Sequence, residues 1–349
     1  MNSTRLIALL AFATVILVLG LLSDSAASET DPSLPVAETP YVLGDPIEAY
    51  VEFMMSGGPP PDGIPAIDNP RFISADEAGL RPEAMVIGFA HGGEAKAYPQ
   101  SILVHHEIVN DVVGGLNVGV TYCPLTATAQ GFERGETTFG VSGQLLNSNL
   151  VLFDRETESY FSQINATGLT GEHRGHTLAE VNLIWTTWER WRAAHPDTRV
   201  LSDRTGHLRN YDRDPYGSYT PLRGYYVEDR TMFPVMHRSG SEHQKEMVVG
   251  ARTADVSARF VLRALEEERI QMTENFLAVY DPTFHTGVIY ERPDGVELDG
   301  LGVSPEGDYE FNGAVHAPRE LPFEPLVSVD VFYFAWHAFY PDSEHPRVP

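Results

Sequence analysis

Two stretches of the chain match each other in the same order, and this repeat constrains the possible folds more than any other feature of the sequence. When Glu83–Arg134 is aligned with Lys245–Arg292, Met85–Gly88 (MVIG) falls on Met247–Gly250 (MVVG). A shared tyrosine and a shared proline follow after a gap of four residues, and a Glu-Arg pair closes both stretches. Because the matches are collinear, we predict that the chain contains two copies of one structural unit.

Each copy has the pattern of two strands, a helix and a further strand. In the first copy the strands are Met85–Ala90 and Glu94–Tyr98, and Pro99 begins a helix that is predicted to run to Val109. Paired glycines then mark a hairpin turn, because glycine adopts the positive φ angles that tight turns need, and the strand Val118–Tyr122 follows. The pattern predicts an α+β protein, mainly β, in which duplicated strand-strand-helix-strand units pack into one compact body.

A further helix is predicted over Leu183–Ala194. Trp185, Trp188 and Trp191 are spaced three residues apart in this segment. Such a stripe is typical of a helix face that packs in the core. The aromatic stretch Val331–Tyr340 is predicted to close the second copy as a final strand or helix.

The first residues have the layout of a secretory signal. A positive charge at Arg5 precedes the apolar run Leu6–Leu22, and the small residues of Ser25–Ser28 suit signal peptidase. We therefore predict a signal peptide over residues 1–27. An uncleaved N-terminal anchor is the alternative, because the run is only slightly shorter than the ~20 residues that span a bilayer. The protein is then exported, and is periplasmic, extracellular or anchored on the outer side of the membrane.

The rest of the chain is predicted to form a spacer and two units. Residues 28–63 are assigned to the spacer and an N-terminal loop, because the proline- and glycine-rich Ser56–Gly63 is unsuited to a helix or a central strand. Residues 64–230 form the first repeat-containing unit, which holds the candidate site. Residues 231–349 form the second, degenerate unit.

The charge and the cysteine count exclude several classes of protein. Asp and Glu total 49 against 24 Lys and Arg, so the net charge is −25. Such a surface repels phosphate backbones and anionic lipids, and we expect neither nucleic-acid binding nor extensive membrane contact beyond the possible anchor. Cys123 is the single cysteine, so the chain has no internal disulfide. A lone thiol in an oxidising compartment is expected to be buried or to have a function.

The strongest candidate site combines Cys123 with His106, supported by Glu107 and Asp111. These residues lie on consecutive elements, which are usually neighbours in space. One hypothesis is a soft-metal site for copper or zinc, with His105 as a further ligand. Another is a cysteine nucleophile, in which His106 lowers the pKa of the thiol and a carboxylate orients the ring. The third is that the thiol and the imidazole are ordinary buried side chains.

The second copy carries carboxylates at the corresponding positions. Asp281 stands where the first copy has Cys123, and Glu268 stands where it has His106. A position that accepts aspartate is not expected in a deep apolar core, because an unpaired charge is costly there. The first copy is therefore predicted to hold the functional site, and the second to be a structural copy.

Several motifs together resemble the domain of unknown function 3179 family. They are His106–Asp111 (HEIVND), Thr121–Leu125 (TYCPL), Thr138–Gly143 (TFGVSG), Phe153–Thr157 (FDRET), His195–Thr198 (HPDT), Arg213–Tyr216 (RDPY) and Phe334–Asp342 (FAWHAFYPD). The resemblance spans roughly Ile64–Asp342 and implies a family without a settled activity. In that family the cysteine turn usually reads Cys-Pro-x-Cys-Gly-Thr, whereas Cys123–Thr128 reads CPLTAT. The missing second thiol argues against exchange between paired thiols.

Taken together, these patterns predict an exported protein whose leading function is soft-metal binding or metal-dependent redox chemistry at a Cys/His site. A cysteine-nucleophile enzyme is the alternative. A non-catalytic binding or structural protein of the cell envelope is the third possibility. No pattern in the sequence names a substrate.

We expect the mature chain to begin after Ala27 or close to it, because the apolar run is short and small residues follow it. Intact-mass measurement of the secreted protein checks this start. A purified membrane-bound form that retains Met1–Leu22 would contradict cleavage and would support the N-terminal anchor instead.

Overall fold

The computed structural model describes residues 34–292, 298, 300–305 and 307–346. The predicted signal peptide and the first residues of the predicted spacer lie outside the described residues. Within the described part of the chain, no helix has both the length and the apolar character that a bilayer crossing requires.

The first half of the described chain is built mainly from antiparallel strands. They are β1 (Met55–Ser56), β2 (Phe72–Ser74), β3 (Met85–His91), β4 (Glu94–Pro99), β5 (Ile108–Val113), β6 (Leu116–Cys123), β7 (Thr128–Glu133), β8 (Phe139–Leu146), β9 (Asn149–Asp154), β10 (Tyr160–Ser162), β11 (Thr167–Gly168), β12 (Glu180–Val181), β13 (Ile184–Thr187) and β14 (Arg199–Leu201). Their sheets have the orders β1-β8-β9-β10-β11, β12-β7-β6-β5 and β13-β3-β4-β14-β2. The β14–β4 pair is parallel.

The second half uses shorter sheets. Its strands are β15 (Gly217–Tyr219), β16 (Leu222–Gly224), β17 (Met247–Arg252), β18 (Ser257–Val261), β19 (Ile270–Met272), β20 (Phe276–Asp281), β21 (Thr286–Glu291), β22 (Gly302–Val303), β23 (Tyr309–Phe311), β24 (Ala314–His316) and β25 (Val329–Phe332). They form the hairpin β15-β16 and the three-stranded sheets β18-β17-β25, β19-β20-β21 and β22-β23-β24. A 3₁₀ turn, Tyr225–Val227, follows the hairpin.

The described helices are short and depend on packing for their stability. They are α1 (Ile47–Phe53), α2 (Gln100–Leu103), α3 (Trp188–Ala194), α4 (Leu262–Glu268) and α5 (Tyr333–Phe339). The last helix, α5, buries six of its seven residues. A helix that is apolar on nearly every side belongs in the core, and α5 lies there.

The prediction of an α+β protein that is mainly β is confirmed, but two predicted helices are wrong in extent. The helix predicted from Pro99 to Val109 ends at Leu103, and Ile108 already begins β5. The segment predicted as one helix over Leu183–Ala194 is strand β13 followed by α3. In both places β-branched residues pair with a neighbouring strand, and this pairing overrides the helical spacing of the apolar side chains.

The predicted tryptophan stripe is confirmed as core, although Trp185 lies on a strand and Trp188 and Trp191 lie on a helix. All three side chains are buried. The Trp191 indole lies directly on Gly88 of β3, where an added Cβ would come within 2.2 Å of the ring. In the second half Trp336 of α5 lies in the same way on Gly250 of β17, where an added Cβ would come within 2.4 Å of the indole.

Two groups of elements follow the same order along the chain. The first is β3-β4-α2-β5-β6-β7, and the second is β17-β18-α4-β19-β20-β21. β13 pairs with β3 and leads into α3, while β25 pairs with β17 and leads into α5. Cys123 and Asp281 each end a strand and pair across a four-residue turn, with Thr128 and Thr286 respectively.

The residues from Leu34 onward form one compact unit. One hydrophobic cluster contains Phe132 and Phe139 from the first half together with Val248 and Trp336 from the second. The two halves therefore share a core. The boundary between residues 230 and 231 stays a prediction.

Replacing either glycine beneath an indole by alanine should destabilise the protein. Gly88→Ala and Gly250→Ala each place a methyl group into a buried ring, and we expect each to lower the free energy of unfolding by about 1–3 kcal/mol. Urea unfolding measures this loss. Gly240→Ala is the matched control, because its Cβ meets nothing within 4 Å, and it should change stability by less than about 0.5 kcal/mol. Equal stability of all three variants would contradict the close packing.

Candidate functional site

His106 lies in the turn between α2 and β5, and both of its ring nitrogens are hydrogen-bonded. Nδ1 is 2.7 Å from the Pro65 carbonyl oxygen, and Nε2 is 2.7 Å from the Tyr211 hydroxyl. Because a carbonyl only accepts, Nδ1 carries the proton and Nε2 accepts from Tyr211. Thr205 in turn donates its hydroxyl to Tyr211, 2.6 Å away. Burial is the main cause that lowers the pKa of His106 to about 4, so the ring is neutral at neutral pH.

His105 contacts the same stretch of chain as His106, residues 205–213, but at a different residue. Its Nε2 lies 3.0 Å from the Arg213 carbonyl oxygen and donates to it. The two histidines thus hold residues 205–213 against the first half of the chain. Both ring nitrogens of His106 are occupied by Pro65 and Tyr211. The use of His106 as a partner of Cys123 stays a prediction.

Asp111 has partners of its own on strand β4. Its carboxylate oxygens are 3.1 Å from the Lys96 ammonium, and the Tyr98 hydroxyl donates to it at 2.7 Å. All three side chains are buried. Asp111 therefore serves a buried ion pair, and the structure does not bring it to Cys123.

Cys123 ends β6 with its thiol buried. Only 1% of the residue is exposed, and Sγ lies 3.8 Å from the Ser148 carbonyl oxygen. Burial, and then the charge of Glu107, raise the pKa of the thiol to about 11. The Thr126 side chain and the backbone N–H groups of Leu150 and Leu125 act in the opposite direction, because they hydrogen-bond to the sulfur. The sulfur thus sits among donors that favour a thiolate, in surroundings that disfavour charge.

Glu107 is the predicted site residue that the structure places beside Cys123. It adopts a left-handed backbone conformation with φ of 58°, and its carbonyl accepts a 2.7 Å hydrogen bond from the backbone N–H of Tyr122. The side chain is nine-tenths buried, and among the described residues no group hydrogen-bonds to its carboxyl. Burial alone raises the pKa of Glu107 to about 8. The carboxyl is therefore mostly protonated at neutral pH.

Four tyrosines from residues 216–226 pack in the same hydrophobic cluster as Cys123. They are Tyr216, Tyr219, Tyr225 and Tyr226. Burial, and then the charges of Glu107 and Cys123, raise the pKa of Tyr216. The Tyr225 hydroxyl donates to the carbonyl of Leu125 in the cysteine turn at 2.9 Å. We call residues 214–227 the covering segment, because its tyrosines pack on the cluster that contains Cys123 and on the cysteine turn.

A cleft of about 460 Å³ opens beside the covering segment. Polar side chains line much of it, among them Arg81, Glu83, Gln100, Asp214 and Arg223. The Asp214 carboxylate accepts hydrogen bonds from Gln100 at 2.9 Å and from Tyr226 at 2.8 Å. Tyr219 lines the cleft and shares a 3.1 Å hydrogen bond with Tyr122, the residue before Cys123. This hydrogen bond connects the cleft to strand β6, the strand that Cys123 ends.

The residues predicted as metal ligands do not converge. Among the residues that the structure describes, no group of three or more His, Cys, Asp or Glu side chains is arranged to hold a metal ion. His105 and His106 are bonded to residues 205–213, and Glu107 is the one predicted site residue beside Cys123.

The covering segment is the part of the site that sequence reasoning missed. Its tyrosines lie about a hundred residues after Cys123, and no spacing rule links such distant positions. The sequence draws attention to Arg213–Tyr216 through the family resemblance, and not as a neighbour of Cys123. The available signal was its place in a connecting segment, since binding and catalytic residues often lie on loops.

The titration of Glu107 should appear in the stability of the protein. Its pKa rises from 4.5 to about 8 on folding, so the folded state binds more protons and stability falls as pH rises through that range, by ~1.4 kcal/mol per pKa unit. His106 has the opposite sign, because its pKa falls from 6.5 to about 4 and stability rises with pH there. Glu107→Gln should remove the decline and be more stable than the wild type at pH 9.

Urea unfolding at pH 5, 7 and 9 measures the difference between the wild type and Glu107→Gln. Glu52→Gln replaces an exposed glutamate and is the matched control. The prediction fails when the stability difference for Glu107→Gln is as independent of pH as that for Glu52→Gln.

The comparisons with known proteins identify the family of the chain. No curated protein and no solved structure has significant similarity to it. A family model described as protein of unknown function (DUF3179) matches residues 61–343, which is well over half of the chain. This match agrees with the span of the motifs found in the sequence. The chain therefore belongs to the DUF3179 family.

Proposed function

We propose that the chain is an exported cysteine-dependent enzyme in which Glu107 and Cys123 act as an acid–thiol pair on an acyl substrate. The observation that carries the proposal is the buried Glu107 carboxyl, which has no hydrogen-bond donor among the described residues and lies beside the only thiol. Burying such a group costs roughly 1–3 kcal/mol or more. A strongly shifted pKa in this setting favours a functional role over a structural one.

The proposed reaction begins when the proton of Sγ passes to the Glu107 carboxylate through one water, because Sγ has the Ser148 carbonyl as its direct partner. The thiolate attacks the carbonyl carbon of an ester or amide, and the leaving group departs with the proton that Glu107 returns. Water then attacks the thioester while Glu107 takes its proton. The thioester breaks to release the carboxylic acid product, and Glu107 returns the proton to the thiolate. The N–H groups of Leu125 and Leu150 stabilise the thiolate.

The pKa of Glu107 suits this role. A general acid–base group is most effective when its pKa is near the working pH, and a value of about 8 meets that condition. The charge of Glu107 raises the pKa of Cys123, so the two protons are coupled and titrate as a pair. The proposed activity should therefore increase as the pH rises through about 8.

We also propose that the two halves arose by internal duplication. The shared order of elements supports this, and so does the indole that lies on a strand glycine in each half. Glu107 and Arg269 both have left-handed conformations, with φ of 58° and 69°. The carbonyl of Glu107 accepts a hydrogen bond from the backbone N–H of Tyr122 on β6 at 2.7 Å. The carbonyl of Arg269 accepts one from the backbone N–H of Tyr280 on β20 at 2.9 Å.

The comparison of the proposed copies supports a single functional site. Arg269 occupies the position of Glu107, and Asp281 occupies the position of Cys123. Asp281 is paired with Arg319 at 2.8 Å, so the second copy has a satisfied carboxylate where the first has a thiol. Among the described residues, the first copy keeps an acid without a hydrogen-bond partner beside a thiol, whereas the corresponding positions of the second copy hold Arg269 and the paired Asp281.

Binding of copper or zinc stays a prediction. The acid–thiol pair supplies two ligands, whereas catalytic zinc sites use three protein ligands and structural sites use four. Export and the signal peptide also stay predictions, because they concern residues outside the described part of the chain.

Thiol labelling tests the proposed pair. We expect iodoacetamide to label Cys123 faster as the pH rises through about 8, because Glu107 becomes able to accept the thiol proton. Glu107→Gln should slow labelling at pH 8 by about tenfold or more. Cys123→Ser shows the background, and Glu52→Gln should label like the wild type.

Faster labelling of Glu107→Gln would have a different physical cause, namely removal of the negative charge beside the thiol. When Glu107 acts only through its charge, Glu107→Gln lowers the pKa of the thiol and labelling becomes faster, which would overturn the proposal. Metal analysis of the same samples addresses the alternative. Stoichiometric copper or zinc that is lost in Cys123→Ser would favour the metal site.

A further inference from the structure

A second pocket lies where the edge strands of the two halves meet. It has a volume of about 210 Å³, and its walls include Met85 and Trp185 of the first half and Met247 and Phe332 of the second. Phe284, in the turn after β20, adds a further aromatic ring. Most of the lining is apolar, which is the usual composition of a small-molecule site.

Asp330 of strand β25 brings a carboxyl group into this apolar pocket. The residue is 8% exposed, and the Thr286 hydroxyl lies 2.8 and 2.9 Å from its two oxygens. One hydroxyl donates one proton, so a carboxylate here keeps most of its acceptor capacity unused. Burial raises the pKa of Asp330 to about 7, while the charge of Arg319 acts in the opposite direction.

The nearby basic side chains have other partners. Lys245 also lines the pocket, but its ammonium donates to the Arg230 carbonyl at 2.8 Å and lies 3.7 Å from the centre of the Tyr225 ring. Arg319 donates to Asp281. His285 also lines the pocket, and its Nδ1 is hydrogen-bonded to the Tyr280 hydroxyl. Among the described residues, Asp330 forms no ion pair.

An apolar pocket with aromatic walls and one unpaired carboxyl is suited to a small hydrophobic amine. The ring faces of Trp185 and Phe332 attract a cation as well as an apolar body. The carboxylate adds a charge-assisted hydrogen bond, which is stronger than a neutral one. A carboxylate ligand would instead need Lys245, whose ammonium already has a carbonyl acceptor and a ring.

We propose that this pocket binds a small hydrophobic amine, with the ammonium group on the Asp330 carboxylate and the apolar part between Trp185 and Phe332. Neither Glu107 nor Cys123 lines the pocket, although Tyr219 and Tyr226 of the covering segment do, and amine binding here does not depend on the proposed enzyme activity. A bound amine would lie against both halves of the chain and would favour their association.

Calorimetric titration of the full chain with benzylamine at pH 8 tests the proposal. We expect saturable binding at one site per chain. Asp330→Asn keeps the shape of the side chain and should weaken binding about tenfold or more. Asp255→Asn, which replaces an exposed aspartate, is the matched control and should bind like the wild type. Cys123→Ser should also bind like the wild type, so the proposal can stand when the proposed enzyme activity fails.

A second variant and two further probes keep the test decisive. Met247→Trp fills the pocket and should abolish binding, and circular dichroism confirms that each variant is folded. Benzyl alcohol and benzoate should bind more weakly than benzylamine. Equal affinity of Asp330→Asn and the wild type for benzylamine would overturn the proposal, as would tighter binding of benzoate or no saturable binding of benzylamine.

Discussion

The close contact between an indole ring and a strand glycine sets the geometry of both halves. Trp191 can lie on β3 only because Gly88 has no side chain, and Trp336 depends on Gly250 in the same way. Each indole belongs to a helix that directly follows an edge strand, so the contact also fixes where that strand pairs. A larger residue at either glycine would push the helix outward and disturb the strand before it.

The edge strands then hold the turns that carry the candidate chemistry. The backbone N–H of Phe332 on β25 donates to Thr126 in the cysteine turn at 2.9 Å. In the reciprocal contact, the Thr186 hydroxyl on β13 donates to the carbonyl of Phe284 at 2.7 Å. Each half therefore positions the turn of the other. The surroundings of Cys123 depend on the second half, although the second half supplies neither the acid nor the thiol.

Local sequence patterns predicted the strands better than they predicted the helices or the site. The Gly114–Gly115 hairpin and the strand after it were predictable because turn chemistry and runs of β-forming residues act over a few positions. The end of α2 was not, since β5 gains its stability from pairing with β6, which no local spacing reports. That error moved His106 onto a helix face and towards Cys123. Glu107 was named as a supporting residue, but its position beside the thiol depends on a backbone conformation that propensities disfavour for glutamate.

The burial of Cys123 has a consequence for the rate of any reaction at this residue. The tyrosines of the covering segment would limit access of oxidants to the thiol, and they would limit access of a substrate in the same way. The rate of oxidation and the rate of catalysis would then depend on the same conformational change. Under the proposed function, chemistry at the sulfur would require displacement of the covering segment. Loop motions of this kind often limit turnover in enzymes. A thiol with such protection would react slowly but would resist oxidation for longer. It would favour substrates that stay bound near the cleft until the covering segment moves.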